Sequence, residues 1–425
     1  MKKNFQKIIF ILFIFNSAFL QAQRHRCGSA ERLQQHILAN PALQQIRSRN
    51  EIATKQWLAN KGNFRGNTGV TTIPVVVHII YNIAAQNISD QQVLSQIAVL
   101  NKDFRKLNSD SLHPQHPFYK YTADAKVEFC LAQKDPNGKP TSGITRTSTN
   151  IKKWDSNNED DIKSTANGGH DNWDPTKYLN IWVGNLTGNY VGFSTFPDEL
   201  VTAPELDGVV IAFESFGTMG AAGSGLGAGN VLGRTGTHEI GHWLNLSHIW
   251  GDAKCGDDSV ADTEPAESEN YDCPSFPHRA NNACGTGPNG EMYMNFMDYA
   301  DDSCLNMYTK GQAGRMQATL NTMRQALLTS NACSQNNIIE NLDLRFLINV
   351  FPNPNNGKFT VSIDGDEKSM TTIYIYDLLG NIIKGPILFL KNQSTKEISE
   401  LACGVYMLKI QNGSNFCTKK IVVTN

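Results

Sequence analysis

The sequence predicts an α/β (α+β) domain with a mixed, twisted sheet, followed by a small all-β sandwich. Two observations lead to this prediction. Between residues 66 and 333, apolar runs of strand length alternate with segments whose apolar residues recur at helical spacing. Residues 346–425 contain only short alternating strands separated by Gly and Asn turns. A chain of 425 residues has room for both units, and the polar stretch 334–345 is the predicted linker.

The first 22 residues have the features of a secretory signal peptide. Lys2, Lys3 and Lys7 precede the apolar run 8–15, and small residues follow it as far as Ala22, where we expect cleavage. The run is too short to span a bilayer, and no later segment reaches 18 consecutive apolar residues, so we expect no transmembrane segment. The sequence therefore predicts export through the periplasm and an oxidising environment for the cysteines.

The elements of the first domain follow from the apolar pattern. Ile73–Tyr81 is a continuous apolar run and predicts a buried strand, while Ser89 begins a capping box that predicts a helix. Apolar residues alternate with polar ones from Val127 to Leu131, which predicts a half-buried strand. Further elements are predicted as strands at Tyr178–Val183 and Gly208–Phe213 and as a closing helix at Gly311–Leu328.

The segment from His238 to His248 places three imidazoles and one carboxylate at the spacing of a catalytic zinc site. On a helix, His238 and His242 lie one turn apart on the same face, and Glu239 stands beside them, where it can take a proton from water. His248 cannot reach the same metal from a straight helix, so the helix must end near Asn245 and the chain must turn back. Three protein ligands leave a fourth position open, which is typical of catalytic zinc.

These residues resemble the HExxHxxGxxH pattern of the metzincin metalloproteases, and within them the pappalysin group. Asn245 stands where the family usually has Gly. Asn is the next most tolerant residue in the left-handed conformation, so we expect it to end the helix at a cost of ~1 kcal/mol. The resemblance implies a metzincin catalytic fold, in which the predicted strand Gly208–Phe213 would edge the cleft and pair with an extended substrate.

A second segment, Asn295–Tyr299, resembles the Met-turn of the metzincins. The resemblance implies that Met297 packs below the three imidazoles and that the phenol of Tyr299 assists the oxyanion of the reaction. Taken without the histidine motif, Met297 and Phe296 would be ordinary core residues.

Four cysteines cluster around the motif: Cys255, Cys273, Cys284 and Cys304. None has CxxC spacing, which favours disulfides over a structural zinc site, and four cysteines permit three pairings. The resemblance implies the pairs Cys255–Cys284 and Cys273–Cys304. Four other cysteines receive no assignment, namely Cys130, Cys333, Cys403 and Cys417.

The segment Gly251–Asp272 is strongly acidic. Its resemblance to the pappalysins at Asp258, Asp262 and Thr263 implies a calcium site, since calcium prefers oxygen ligands on irregular loops. The alternative is a solvated acidic loop, because no EF-hand spacing is present.

Residues 23–65 are polar and carry Cys27 near the predicted mature N-terminus. The resemblance implies a propeptide in which the Cys27 thiolate binds zinc at its open position and keeps the zymogen inactive. The alternative is a free or disulfide-linked cysteine.

The C-terminal unit closely resembles the sorting domain that the type IX secretion system recognises. The resemblance runs from Pro352-Asn353-Pro354 to the basic terminal strand Lys420–Val423. It implies the type IX machinery as a partner and a second export step, to the cell surface or the medium. The alternative is a generic carbohydrate- or protein-binding β module.

Together these features predict a secreted zinc endopeptidase that acts on protein or peptide substrates. Zinc would be held by His238, His242 and His248, with Glu239 as general base and Tyr299 at the oxyanion. The alternative is a secreted binding protein that keeps the scaffold without turnover, and the intact set of four residues argues against it. The net charge of −2, with both signs interspersed, gives no indication of a nucleic-acid partner.

Overall fold

The computed structural model describes residues 26–60, 69–155, 159–187, 190–333, 348–363, 371–377, 380–389, 395–412 and 415–424. The predicted signal peptide, the predicted boundary at residue 65 and the predicted linker lie outside these ranges. Within them, no helix is both long enough and apolar enough to cross a membrane.

Among the described residues of the first unit, six strands form the central sheet: β1 Thr71–Tyr81, β2 Val127–Leu131, β3 Ile144–Ser148, β4 Leu179–Gly184, β5 Gly192–Ser194 and β6 Val209–Ala212. Their order is β2-β1-β4-β6-β5, and β3 pairs with the second half of β1. All pairs are parallel except β5 with β6, which is antiparallel. The sheet is therefore mixed, and the predicted fold class is confirmed.

The prediction that the strand Gly208–Phe213 edges the cleft is wrong. Strand β6 lies inside the sheet, between β4 and β5, and the edge is the three-residue strand β5. A strand as short as Gly192-Phe193-Ser194 has no period-2 pattern to recognise, which is why the sequence pointed to the longer apolar run beside it.

The described part of the first unit has five α-helices: α1 Ser29–Ala39, α2 Ala42–Ala59, α3 Asp90–Phe104, α4 Arg234–Trp243 and α5 Lys310–Thr322. The Ser89 hydroxyl accepts the N–H of Gln92 at the start of α3, but the Gln92 side chain donates to Phe213 and Phe216 carbonyls, so only half of the predicted capping box forms. The closing helix ends at Thr322 rather than Leu328, and a 3₁₀ turn follows it.

The core lies on both faces of β1, which is buried along nearly its whole length. Helices α3 and α4 contribute Val93, Ile97 and Ile240 to one face, and Trp154 and Trp182 cover the other. Each fully buried aliphatic or aromatic side chain contributes about 1.5–3 kcal/mol. The sheet is thus a rigid support for the residues that follow α4.

A disulfide joins Cys130 on β2 to Cys333 at the end of the first unit, 203 residues away in sequence. This pair could not be predicted from the sequence, because no local spacing rule covers two cysteines so far apart. The bond ties the last described residue before the predicted linker to the sheet.

The C-terminal unit is all-β, as predicted. Its strands are β7 Ile348–Phe351, β8 Phe359–Ile363, β9 Thr371–Tyr376, β10 Ile382–Phe389, β11 Thr395–Ile398, β12 Gly404–Asn412 and β13 Asn415–Val423. They form an antiparallel four-stranded sheet, β10-β9-β12-β13, and an antiparallel three-stranded sheet, β11-β8-β7. Residues of both sheets, such as Phe359 and Ile410, share one apolar core, which makes the unit a sandwich.

Candidate metal centre

Three histidine rings converge at the C-terminal end of α4. The Nε2 atoms of His238 and His242 lie 3.1 Å apart, and the Nε2 of His248 lies 3.2 Å from the first and 3.1 Å from the second. All three rings are buried. The Cys27 sulfur completes a group in which all four candidate ligand atoms lie within 4.8 Å of one another.

The chain returns to this centre because the helix ends abruptly after Trp243. Asn245 has a φ of +73°, the left-handed conformation that the sequence predicts for it. The N–H of Leu246 bonds back to the carbonyl of Gly241, which closes the last turn. The next residues then bring His248 alongside the other two rings.

Each ring is fixed by a bond on its other nitrogen. The Nδ1 atoms of His238 and His242 lie 2.7 Å from the carbonyls of Phe296 and Leu246, and that of His248 contacts the carboxylate of Asp252. These acceptors place the ring hydrogens on Nδ1, so three unprotonated Nε2 lone pairs face one another at about 3 Å. Such an arrangement is repulsive without a cation, and with the Cys27 sulfur it offers the N₃S set that tetrahedral zinc accepts.

Glu239 is buried beside this centre. Burial raises the pKa of its carboxyl to about 7, while hydrogen bonds to the carboxylate act in the opposite direction. Oε2 accepts a 2.9 Å bond from the Ser29 hydroxyl and lies 3.3 Å from the Cys27 sulfur. A side chain at Gly192 would come within 3.0 Å of Glu239 Cγ, so the glycine leaves space for this carboxylate.

The segment Asn295–Tyr299 packs against the same centre. A Cβ at Gly241 on α4 would lie 2.4 Å from the Met297 sulfur, so the helix and the methionine are in close contact. The Tyr299 ring lies 5.7 Å from that of His238 and 4.9 Å from that of His248. Its hydroxyl donates to the carbonyl of Cys27 at 3.2 Å, which shows that the phenol reaches a peptide carbonyl held at the centre.

The segment that carries Cys27 pairs with the edge of the sheet. The N–H of Gly28 donates to the carbonyl of Gly192 at 3.0 Å, and the N–H of Val191 donates to the carbonyl of Arg26 at 3.1 Å. Burial and the Glu239 carboxylate raise the pKa of the Cys27 thiol well above its ordinary value, so a thiolate here requires a cation to neutralise it.

Comparison with known proteins agrees with this geometry. Residues 162–321 match the family described as pregnancy-associated plasma protein-A, and residues 349–424 match the secretion system C-terminal sorting domain. Mature mirolysin of Tannerella forsythia, solved in complex with a cleaved peptide, is 45% identical with a TM-score of 0.58 over 62% of this chain and 97% of its own. A promirolysin variant of the same organism is 41% identical with a TM-score of 0.64 over 72% of this chain and 98% of its own. The protein belongs to the pappalysin family.

A curated relative is consistent with this assignment. An extracellular metalloprotease of Verticillium alfalfae is 29% identical over 307 residues, which cover 70% of this chain and 89% of the relative. This pappalysin is thus a secreted zinc metalloendopeptidase with a type IX sorting domain, and its fold is similar to that of mirolysin.

In this pappalysin, the segment after the zinc helix contains two disulfides, Cys255–Cys284 and Cys273–Cys304. They are the pairs that the family resemblance implied. With so few apolar residues in this segment, the bridges restrict its unfolded state and stabilise its irregular path. Of the two remaining cysteines in the sorting domain, Cys403 is exposed and Cys417 is buried.

The three candidate calcium ligands do not all face one point. The Thr263 hydroxyl lies 2.9 Å from Asp258 Oδ2, whereas Asp262 accepts the Thr309 hydroxyl and the N–H of Gly311 at the start of α5. Within the described residues, the acidic segment brings no three carboxylates together. Burial nevertheless raises the pKa of Asp258 to about 7.

Several residues that support the centre carry no recognisable sequence signal. Asp252 holds His248, and the Trp250 ring stacks on His248 with centroids 4.4 Å apart. Arg324, fully buried with Asp207, donates to the carbonyl of Trp243 and so caps α4. These contacts depend on the tertiary fold. Of these contacts, only the one between Asp252 and His248 could have been suggested by the sequence, through its i,i+4 spacing.

Proposed function

We propose that this pappalysin is made as a zymogen and hydrolyses internal peptide bonds with Glu239 as general base. The observation that supports the proposal is the convergence of three Nε2 atoms beside a buried carboxylate. His238, His242 and His248 would hold zinc, which supplies a Lewis acid and acidifies water. Glu239 takes the proton of the attacking water and delivers it to the leaving amine.

Tyr299 assists the oxyanion in this proposal. Its hydroxyl already donates to a backbone carbonyl, that of Cys27, at the metal centre. A scissile carbonyl in the same place would receive the same hydrogen bond, and the bond would strengthen as negative charge develops on the oxygen. Met297 has a supporting role only, through its contact with Gly241.

The substrate would pair with strand β5. In the zymogen, the carbonyl of Gly192 and the N–H of Val191 are used by the segment 26–28. When that segment leaves, the same backbone groups are free to bind an extended peptide, which accounts for recognition of many sequences through the main chain.

Residues 23–65 form the propeptide in this proposal, with Cys27 as its switch. Its thiolate would take the fourth position on zinc and exclude the attacking water. Promirolysin covers 72% of this chain and mature mirolysin 62%, which supports the presence of a pro-segment.

Residues 346–425 would direct the protein to the type IX machinery after passage through the periplasm. The predicted calcium site at Asp258, Asp262 and Thr263 is not part of this proposal, because Asp262 accepts hydrogen bonds from Thr309 and Gly311 instead of facing Asp258 and Thr263.

The deciding experiment is hydrolysis of casein by the purified mature protein, with and without a zinc chelator and with the Glu239→Ala variant. We expect chelator-sensitive cleavage by the wild type and its loss in Glu239→Ala, which should keep zinc and fold. Substantial turnover by Glu239→Ala would show that another group is the base. Failure of the zinc-loaded wild type to cleave any protein would favour a binding role.

A further inference from the structure

We propose that Asn270, through the carboxylate of Asp298, is a positioning residue for Tyr299. The inference rests on the proposed function and deepens it, because Asn270 acts only through the phenol that assists the oxyanion. Asn270 lies in the disulfide-bonded segment after the zinc helix, 28 residues before Asp298 in sequence.

The carboxylate of Asp298 joins Asn270 to the backbone of Tyr299. Oδ1 accepts the N–H of Asn270 at 2.9 Å and the N–H of Tyr299 at 2.7 Å. Oδ2 accepts the side-chain amide of Asn270 at 2.7 Å. Asn270 therefore holds both oxygens of the group that orients the Tyr299 peptide.

The amide of Asn270 also bonds to a second carboxylate, that of Glu291. Its Nδ2 lies 3.1 Å from Glu291 Oε2, so its two hydrogens can serve Asp298 and Glu291 together. Glu291 Oε1 accepts the N–H of Glu267 and the amide of Asn282, each at 2.8 Å. Asn270, Asp298 and Glu291 are all buried. Because a buried carboxylate that loses a donor is destabilised, these bonds strongly favour one arrangement of the three side chains.

Other contacts hold the same two stretches of chain side by side. The N–H of Asp301 donates to the carbonyl of Asp272 at 2.8 Å, and the disulfide Cys273–Cys304 follows. These links would keep the stretches together without the side chain of Asn270. The amide of Asn270, in contrast, bonds to the same carboxylate as the peptide N–H of Tyr299.

The Tyr299 side chain depends on this support once the propeptide leaves. In the structure its hydroxyl donates to the carbonyl of Cys27, a bond that is lost with the propeptide. Its ring meets those of His248 and Trp250 edge-on, with centroids 4.9 Å away in both cases. The bond from its N–H to Asp298 remains within the catalytic domain. A donor stabilises a developing oxyanion only when it is held about 3 Å from that oxygen, so a small shift of Tyr299 should lower kcat and leave KM nearly unchanged.

The first test is Asn270→Ala in the mature enzyme, processed from the full chain by an added protease that is then inhibited. The substrate is a quenched fluorescent peptide from a casein sequence that the wild type cleaves. We expect kcat to fall by about tenfold, KM to stay within about twofold, and zinc affinity to be unchanged. The matched control is Asn289→Ala, at an asparagine of the same segment that is outside the hydrogen bonds described above, and it should cleave like the wild type.

The deciding test repeats Asn270→Ala in a Tyr299→Phe background. Tyr299→Phe alone should lower kcat by about 100-fold, because it removes an oxyanion donor. Adding Asn270→Ala should then lower kcat by less than about twofold, since no phenol hydroxyl is left to position. A merely structural role of Asn270 would give the same factor in both backgrounds.

If Asn270→Ala does not fold, Asp298→Asn replaces it in both backgrounds. This variant keeps the shape of the side chain and weakens the acceptor of the Tyr299 N–H, because hydrogen bonds to a charged group are the stronger ones. We expect a loss in kcat of about threefold that disappears in Tyr299→Phe.

Three results would overturn the positioning role: wild-type kcat in the folded variant, an undiminished loss in the Tyr299→Phe background, or a loss that resides in KM or in zinc affinity. Wild-type turnover by Tyr299→Phe would contradict the role of Tyr299 and the positioning with it. Failure of the proposed protease function looks different, because the wild type itself would then cleave neither the peptide nor casein.

Discussion

The hydroxyl of Ser29 donates a 2.9 Å hydrogen bond to Glu239 Oε2 and accepts the N–H of Ser194 at 2.8 Å. Ser29 is therefore hydrogen-bonded to the proposed general base, while the Cys27 sulfur, two residues earlier, lies with the three histidines as the proposed fourth zinc ligand. Ser29 thus blocks the carboxylate that would take the proton, and Cys27 blocks the zinc position that would bind water. Removal of the thiol alone leaves the carboxylate covered.

This arrangement predicts that Cys27→Ala processes itself prematurely, and that Cys27→Ala with Ser29→Ala does so faster still. A hydrogen bond to a charged group contributes about 1.5–3 kcal/mol, so the added substitution should accelerate loss of the precursor by about tenfold or more. The rate is measured by following the precursor on gels at several concentrations. Ser48→Ala is the control, because that hydroxyl donates to the Gln44 carbonyl within α2. Equal decay of the single and double variants would exclude a role for Ser29.

A second prediction concerns pH and His36, whose Nδ1 lies 2.5 Å from Glu199 and whose Nε2 lies 3.6 Å from Asp160. Hydrogen bonds with Asp160 and Glu199 raise the pKa of His36 to about 9, while burial and nearby Arg32 act against them. The released segment would have an ordinary pKa near 6.5. The contribution of His36 to docking is therefore fully present below pH 6.5, decreases between pH 6.5 and 9, and is absent above.

The measurement is the rate at which an added protease cleaves the segment 26–60 in the Glu239→Ala precursor, which cannot process itself. The same rate is measured for the Glu239→Ala precursor that also carries His36→Gln. Dividing the rate with His36→Gln by the rate without it removes the pH dependence of the added protease. The ratio should be about tenfold near pH 6 and approach one near pH 9. A ratio that does not change with pH would show that His36 does not contribute through its charge.

The sequence predicted the centre of the site better than its surroundings, and the reason is physical. His238 and His242 are one helical turn apart, and Asn245 has the backbone tolerance that returns the chain to His248, so local rules suffice. Three other features join segments that are far apart in the sequence, where local residue patterns do not predict contacts. They are the pairing of β5 with β6, the Cys130–Cys333 disulfide and the hydrogen bond between Ser29 and Glu239. The closing helix was predicted too long because Arg324 leaves helical geometry to reach Asp207, a long-range ion pair.

The third prediction is that Asp252→Asn weakens zinc binding without unfolding the protein. The Asp252 carboxylate contacts Nδ1 of His248, and a charged acceptor at this place makes the opposite ring nitrogen a better ligand. Loss of an outer partner of this kind typically costs about 10–100-fold in metal affinity. Zinc affinity is measured by competition with a fluorescent chelator in the Glu239→Ala background. Asp257→Asn, at a neighbouring exposed carboxylate, should change nothing, and an unchanged affinity in Asp252→Asn would exclude the proposed support.

The last prediction concerns Asn245, whose φ of +73° is unfavourable for a residue with a Cβ. Asn245→Ala keeps the Cβ and replaces asparagine, which tolerates the left-handed conformation better than alanine does, so it should lower the free energy of unfolding by about 1 kcal/mol. Asn245→Gly removes the Cβ and should stay within about 0.5 kcal/mol of the wild type. Both are measured by urea unfolding of the Glu239→Ala precursor under non-reducing conditions. The matched control is Asn321→Ala on helix α5, where alanine is favoured and no loss is expected. Equal stability of the alanine and glycine variants at position 245 would mean that the turn to His248 does not depend on the left-handed residue.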